Sequence, residues 1–267
     1  LLVNKKPSGG SYPCHITVNK NGYVLTSNYG DGAVGLLKVG SDGKLQGPMD
    51  VHRHEGKGTT DRQEGPHAHS TWFDSDENEL ISIDLGTNEL WFSSIETGND
   101  KLLPREPYKL AMDAGAGPRH MTFHPNNKWA YVINELTSTV TVLRKSKVGI
   151  YAKGESVSTL PDDFAGKSFC ADIHISADGK FLYASNRGHN SIAIYQVGSK
   201  NGSLSMISTE STRGEIPRNF SISPDDKYLL VANQKTNSLV SFARDRKNGM
   251  LKFVDQIPVP TPVCILF

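Results

Sequence analysis

GPRHMTFHPNNKWAYVINELTSTVTVL, residues 117–143, reads as three β-strands joined by two tight turns. A short apolar strand through Met121 and Phe123 meets the turn HPNNK. The β-branched and aromatic strand AYVIN follows, and a polar turn then leads into STVTVL. Pro and Asn punctuate such turns because one fixes φ and the other tolerates φ > 0. The same grammar recurs in YPCHITVNKNGYVLTSNYGDGAVGLL from Tyr12 and in PHAHSTWFDSDENELISIDLGTNELWF from Pro66. It recurs again in FCADIHISADGKFLYASNRGHNSIAIYQV from Phe169 and in IPRNFSISPDDKYLLVANQKTNSLVSF from Ile216. Asn28, Asp84, Asn134, Asn186 and Asn233 mark the end of each second strand, at spacings of 56, 50, 52 and 47 residues. A more variable stretch after each third strand is long enough for a fourth, and no stretch shows a helical period.

Units of about 50 residues with four strands each are the blades of a β-propeller. A lone four-stranded sheet cannot bury both faces, whereas stacked blades cover one another. A β-sandwich is the alternative, but it does not generate five matched units. The expected fold is therefore all-β, a β-propeller of four-stranded antiparallel blades, forming a single domain over residues 1–267. A sixth unit begins at Pro262 as PVCILF, and LLVNKKPSGG at the start resembles the tail of an outer strand. The reading is five blades and a strand, N-terminally incomplete, with about 80 residues expected before Leu1 at ~50 residues per blade.

Composition narrows the function. Lys and Arg number 29 and Asp and Glu 28, a formal net charge of +1. A nucleic-acid binder needs a basic excess to neutralise phosphates, so nucleic acid is excluded as a partner. No apolar run of about 18 residues exists, so no membrane partner is expected. Cys14, Cys170 and Cys264 lie far apart, which argues against a disulfide framework or a zinc site and for buried thiols in a reducing compartment. The chain opens without a signal-peptide pattern, and a cytoplasmic location is the expectation.

Arg119 and Glu135 stand out in the opening stretch because a hairpin has no structural need for them. Folding about Asn127 places residue 119 opposite 135, where direct partners lie about 5 Å apart. The same fold-back pairs His69 with Leu85 about Glu77, Ala171 with Arg187 about Gly179, and Arg218 with Gln234 about Asp226. The blade interiors repeat, but these positions do not. They gather His69, Arg119, Glu135, Arg187 and Arg218 at one mouth of the expected channel. Three crowded cations repel one another unless an anion joins them. The bland alternative is a surface ion pair, which contributes about 0–1 kcal/mol. His15, His120 and Asp172 take the next position on their first strands, where wall packing is the default role.

GPHAHSTWF with DLG, GPRHMTFHPN with YVINE, ADIHISADGKFLYASNRGHNSI, PRNFSISPDDKYLLVANQ and the ending TPVCILF resemble the seven-bladed propeller lactonase family across essentially the whole chain. Bacterial propeller-type 6-phosphogluconolactonases belong to it, and a fungal carboxy-cis,cis-muconate lactonizing enzyme shares the fold. The resemblance implies a site of one histidine, one arginine, one glutamate and a second arginine. By motif these are His69 or His67 of PHAH, Arg119 of GPRH, Glu135 of INE and Arg187 of SNRG. It also implies hydrolysis of 6-phosphoglucono-1,5-lactone, a small anionic sugar lactone, to 6-phosphogluconate in the pentose phosphate route.

Arginines suit that substrate, because they hold phosphate through charge-assisted, often bidentate bonds. One not used on phosphate can stabilise the oxyanion formed on water attack. Glu135 beside Arg119 is a poor base, since the cation lowers its pKa. His69, with an ordinary value near 6.5, is better tuned. The catalytic set is thus His69, Glu135, Arg119 and Arg187, with His67, Arg218, His120 and His15 as substrate-binding candidates. No cofactor or metal is needed. His52, His54, His67 and His69 form two H-x-H pairs that could ligate zinc, but EGKGTTDRQEG between them reads as a long mobile loop with exposed histidines. Competing functions are a related lactone or muconate cyclisation and a non-catalytic scaffold. A scaffold would show aromatic anchors at an edge, whereas Trp72, Trp91 and Trp129 read as blade packing.

Overall fold

Each of the five repeats folds into one four-stranded antiparallel sheet with its strands in chain order, as a propeller blade requires. The computed structural model describes residues 2–74, 77 and 79–267, and strands are the only regular structure longer than a turn among them. The chain divides into two compact units, Leu1–Arg119 and His120–Phe267. The first holds β1 (Pro13–Val18), β2 (Tyr23–Asn28), β3 (Ala33–Val39) and β4 (Leu45–Arg53), then β5 (Ala68–Phe73), β6 (Glu79–Asp84), β7 (Glu89–Glu96) and β8 (Lys101–Ala111). At the boundary β9 (Pro118–Phe123) opens the third blade, with β10 (Trp129–Asn134), β11 (Thr139–Lys145) and β12 (Tyr151–Ser158). The fourth is β13 (Phe169–Ile175), β14 (Phe181–Arg187), β15 (Ser191–Val197) and β16 (Leu204–Ser211). The fifth is β17 (Pro217–Ile222), β18 (Tyr228–Asn233), β19 (Ser238–Arg244) and β20 (Leu251–Pro258).

Middle strands read as unbroken apolar runs because both of their faces are buried. Successive side chains alternate across a strand. On β14 and β15, Leu182, Ala184, Ala193 and Tyr195 therefore pack against Tyr131, Ile133, Val140 and Val142 of the third blade. The intervening Phe181, Tyr183, Ile192 and Ile194 pack against Phe220, Leu229, Val231 and Val240 of the fifth. In the first unit Leu25, Val34 and Leu36 meet Ala68, Leu80 and Ile95 in the same manner.

Buried tyrosines lock neighbouring blades. The Tyr131 hydroxyl donates to the Gly202 carbonyl at 3.0 Å, and Tyr183 to Gly249 at 2.8 Å. Burial pushes the Tyr183 phenol up to about 12, so it stays a donor. Both glycines have positive φ, and a Cβ would strike Trp129 at 2.5 Å and Phe181 at 2.4 Å. Only glycine lets the turn lie flat on those rings.

The hairpin tips form where the sequence places them: Glu77, Asn127, Gly179 and Asp226 all have positive φ. The register differs from the simple fold-back. The structure pairs Ala68 with Asp84, Phe169 with Arg187 and Pro217 with Asn233. Two steps account for this. The turns close between Asp74 and Glu79, Ser176 and Phe181, and Ser223 and Tyr228, so the centre falls between residues rather than on one. A β-bulge near the start of each of these first strands then shifts the pairing once more.

The terminal segments depart from strand expectations as well. Residues 2–12 form no strand; Asn4 instead bonds the Leu45 backbone through both its side-chain atoms, at 2.8 and 3.0 Å. Pro262–Phe267 forms none either, and Ile265 N–H donates to Asn219 Oδ1 at 2.7 Å. A side-chain bond holds one point of such a segment, whereas a strand needs a ladder.

Candidate functional site

The bulges decide which side chains reach the end of each sheet where its first strand begins and its second strand ends. In the first, second and fifth blades the bulged residues are Cys14, His69 and Arg218. Arg119 occupies the same place in its repeat. An extra residue left out of the ladder has its side chain re-aimed, which is why bulges recur at functional positions.

In the first unit the histidines meet over Tyr29, the residue that follows β2. Its ring stacks on His67 with centroids 4.4 Å apart and planes at 9°. It meets His69 edge-on at 5.7 Å and 81°. His67 Nδ1 donates to the Tyr29 carbonyl at 2.7 Å, and His67 Nε2 lies 3.4 Å from the Glu64 carboxylate. His69 and Arg119 are buried, at 4% and 3% exposure. The Arg119 carbonyl accepts the Ser70 hydroxyl at 2.7 Å. His15 accepts Thr71 N–H at 3.4 Å and packs on Trp72 at 4.8 Å.

The His52–His54 pair behaves differently. His54 is buried and its Nδ1 bonds Asp84 at 2.8 Å, while its ring stacks on Trp91 at 4.3 Å. The loop between the pairs is anchored rather than mobile, because Gln63 is fully buried within it. A cavity of about 300 Å³ is lined by residues of β4, β7 and β8, and neither Cys14 nor His69 lines it. Trp91 in its wall already carries His54 on its ring and Lys109 at 3.9 Å, so the cavity offers little aromatic surface to a ligand.

In the second unit Glu135 and Arg187 follow or end their second strands. Arg187 Nη2 donates to Glu135 Oε2 and to the Cys170 carbonyl, both at 2.8 Å. Glu135 is 4% exposed. The Nε–H of Arg187 is buried with no partner among the described residues. Arg218 is half-buried and makes no hydrogen bond or ion pair among them. A buried donor left unsatisfied costs about 1–3 kcal/mol, and an anionic ligand recovers it.

Beside these residues Asp172 gathers donors from three strands. His120 Nδ1 lies 2.9 Å from Oδ1 and His174 Nε2 3.1 Å from Oδ2. Asn219 Nδ2 and Phe220 N–H donate to Oδ2 at 2.6 and 3.2 Å. Burial opposes ionisation of Asp172, but the His174 charge and the two imidazole bonds outweigh it and hold the carboxyl well below its ordinary range. Burial likewise works against a charged His174, and the Asp172 carboxylate reverses this and raises its pKa. His120 is thus held by a buried carboxylate. No disulfide joins the cysteines; Cys170 is buried, whereas Cys14 and Cys264 are exposed rather than buried as expected. Cys14, bulged out of its strand, donates to the His69 carbonyl at 3.3 Å.

Comparison with known proteins bears on the family and the fold. A family model described as lactonase, 7-bladed beta-propeller, matches residues 1–267. The chain is 38% identical over 221 residues to a 6-phosphogluconolactonase of Bacillus subtilis, covering 82% of this chain and 62% of that protein. It is 37% identical over 227 residues to a 6-phosphogluconolactonase of Formosa agariphila, covering 82% and 63%. The chain thus spans less than two thirds of these relatives' length. Among solved structures, a protein from Lactobacillus plantarum superposes with a TM-score of 0.89 at 34% identity, covering 94% of this chain and 73% of that one. A periplasmic gluconolactonase of Pseudomonas aeruginosa gives a TM-score of 0.89 at 30% identity, covering 94% and 71%.

Proposed function

The chain belongs to the seven-bladed β-propeller lactonase family, and from that premise we propose that it hydrolyses 6-phosphoglucono-1,5-lactone to 6-phosphogluconate. The observation that carries the reading is the set of non-repeating side chains at bulges and strand ends. His69, Arg119 and Arg218 lie on first strands, and Glu135 and Arg187 at the ends of second strands. The scaffold accepts Leu85 or Gln234 at the latter positions, so neither the glutamate nor the arginine is needed for folding.

His69 takes the proton from the attacking water. The water oxygen bonds to C1, and the carbonyl becomes an oxyanion held by a guanidinium. Collapse breaks the bond from C1 to the ring oxygen. That oxygen leaves as a hydroxyl with the proton from the imidazole, and the new acid ionises. The arginines also hold the phosphate, as Arg218 with its unpaired charge is suited to do. Glu135 is committed to Arg187 and orients it. The 6-phosphogluconolactonase relatives support a role in the pentose phosphate route, where that lactone is opened. The free gluconolactone is the substrate to compare, given the periplasmic relative. No helix among the described residues is long and apolar enough to cross a membrane.

NMR of freshly generated 6-phosphogluconolactone tests this, with the spontaneous opening as control. The intact protein accelerates the opening, and His69→Ala lowers kcat by roughly 10²–10⁴. No acceleration above the control removes the function. Full kcat in His69→Ala together with its loss in Glu135→Gln reverses the two roles.

A further inference from the structure

Tyr29 holds in the first blade the place that Glu135 holds in the third, directly after the residue that ends the second strand. Its hydroxyl accepts Arg62 Nη2 at 3.1 Å. Arg62 is exposed, yet its backbone is held, because the next residue is the fully buried Gln63. Gln63 Nε2 donates to the Leu85 carbonyl at 2.8 Å and to Asn88 Oδ1 at 3.1 Å. Its Oε1 accepts Thr59 N–H and the Thr60 hydroxyl, each at 3.2 Å. Gly58 N–H closes the turn onto the Gln63 carbonyl at 3.0 Å. The loop is therefore a clip, and it sets a guanidinium on a phenol whose ring touches both His67 and His69. Glu64, which is exposed, lies beside His67.

We propose that Arg62 and Tyr29 form a phosphate-selecting contact next to His67 and His69. Arg62 binds two phosphate oxygens, and the Tyr29 hydroxyl, its acceptor role released, donates to one of them. This rests on the lactonase reading for the identity of the ligand, but not for the test. Charge-assisted bonds of this kind give about tenfold or more in affinity.

Calorimetric titration of the intact protein with 6-phosphogluconate, gluconate and inorganic phosphate tests it, alongside Arg62→Gln and Tyr29→Phe. The wild type is expected to prefer 6-phosphogluconate over gluconate by about tenfold or more. In Arg62→Gln that ratio falls by about tenfold through weaker binding of the phosphorylated ligand, leaving the share that Arg218 supplies, with an unchanged melting temperature. Tyr29→Phe, which keeps the ring stack, lowers the ratio part of the way. A wild type without preference, or a ratio unchanged in both variants, overturns the proposal. A ratio that depends on Arg62 in a protein that does not accelerate lactone opening retains the subsite and discards the lactonase. Acceleration with a ratio indifferent to Arg62 does the reverse.

Discussion

Asp172 shows how a single buried residue ties stability to pH. Its folded-state pKa is depressed, so its contribution is in place above the ordinary aspartate value of ~4 and is lost as pH falls through the lower folded value. His174 runs the opposite way. Its folded value is raised, so its contribution is full below ~6.5 and is lost as pH rises through the raised value. The two are therefore present together from ~4 to ~6.5. Asp172→Asn removes the carboxylate and leaves His120 and His174 facing a neutral amide. It should destabilise the protein by about 3 kcal/mol, in line with breaking a buried charged pair. The melting temperature against pH should also lose its decline above ~6.5 in the variant, as the raised titration of His174 disappears. A variant that melts lower yet keeps the wild-type pH profile would show that His174 titrates independently of Asp172.

At the scale of the element, the polar residue at the end of the second strand clamps the chain entering its blade in the first, second, fourth and fifth blades, whereas Asn134 of the third bonds Thr139 and Thr141 of its own sheet. Asn186 Nδ2 donates to the Thr159 carbonyl at 2.8 Å, and its Oδ1 accepts the Thr159 hydroxyl at 2.6 Å. Asn233 grips the Thr212 carbonyl at 2.8 Å. In the second blade Asp84 and His54 replace the amide and hydroxyl. Asn186→Ala should cost about 1–3 kcal/mol, because the buried Thr159 carbonyl loses its donor, while the Thr159 hydroxyl keeps the Ser138 carbonyl as acceptor. The shift in denaturation midpoint at constant slope measures it. A change under about 0.5 kcal/mol would reduce the clamp to a bystander. These clamp positions were legible in the sequence, because an amide or carboxylate interrupts an apolar run at a fixed phase. Strand existence and hairpin tips were legible for the same reason. The register was not, since a bulge adds one residue without changing composition. His69, Arg119, Arg187 and Arg218 stood out by charge. Tyr29 did not, because a tyrosine at a strand end looks like packing until its contacts with His67 and Arg62 are seen.

At the scale of the whole molecule, each of these cores belongs to two blades of one unit. The cluster around Phe220 joins the fourth blade to the fifth, and the one around Tyr131 joins the third to the fourth. Neighbour-to-neighbour packing makes such arrays respond locally. Phe220 is fully buried, and its ring meets His174 edge-on at 4.8 Å while its N–H binds Asp172. Phe220→Ala should therefore cost about 3–5 kcal/mol, most of it from the cavity left between two blades. Hydrogen exchange followed by mass spectrometry should show protection lost first in β13–β20, with β9–β12 retaining theirs longer. The His174 resonance should shift in the same variant, because the ring beside it is gone. Uniform loss across β9–β20 would mean that the second unit opens as one cooperative body, and that its repeats share stability beyond their immediate neighbours.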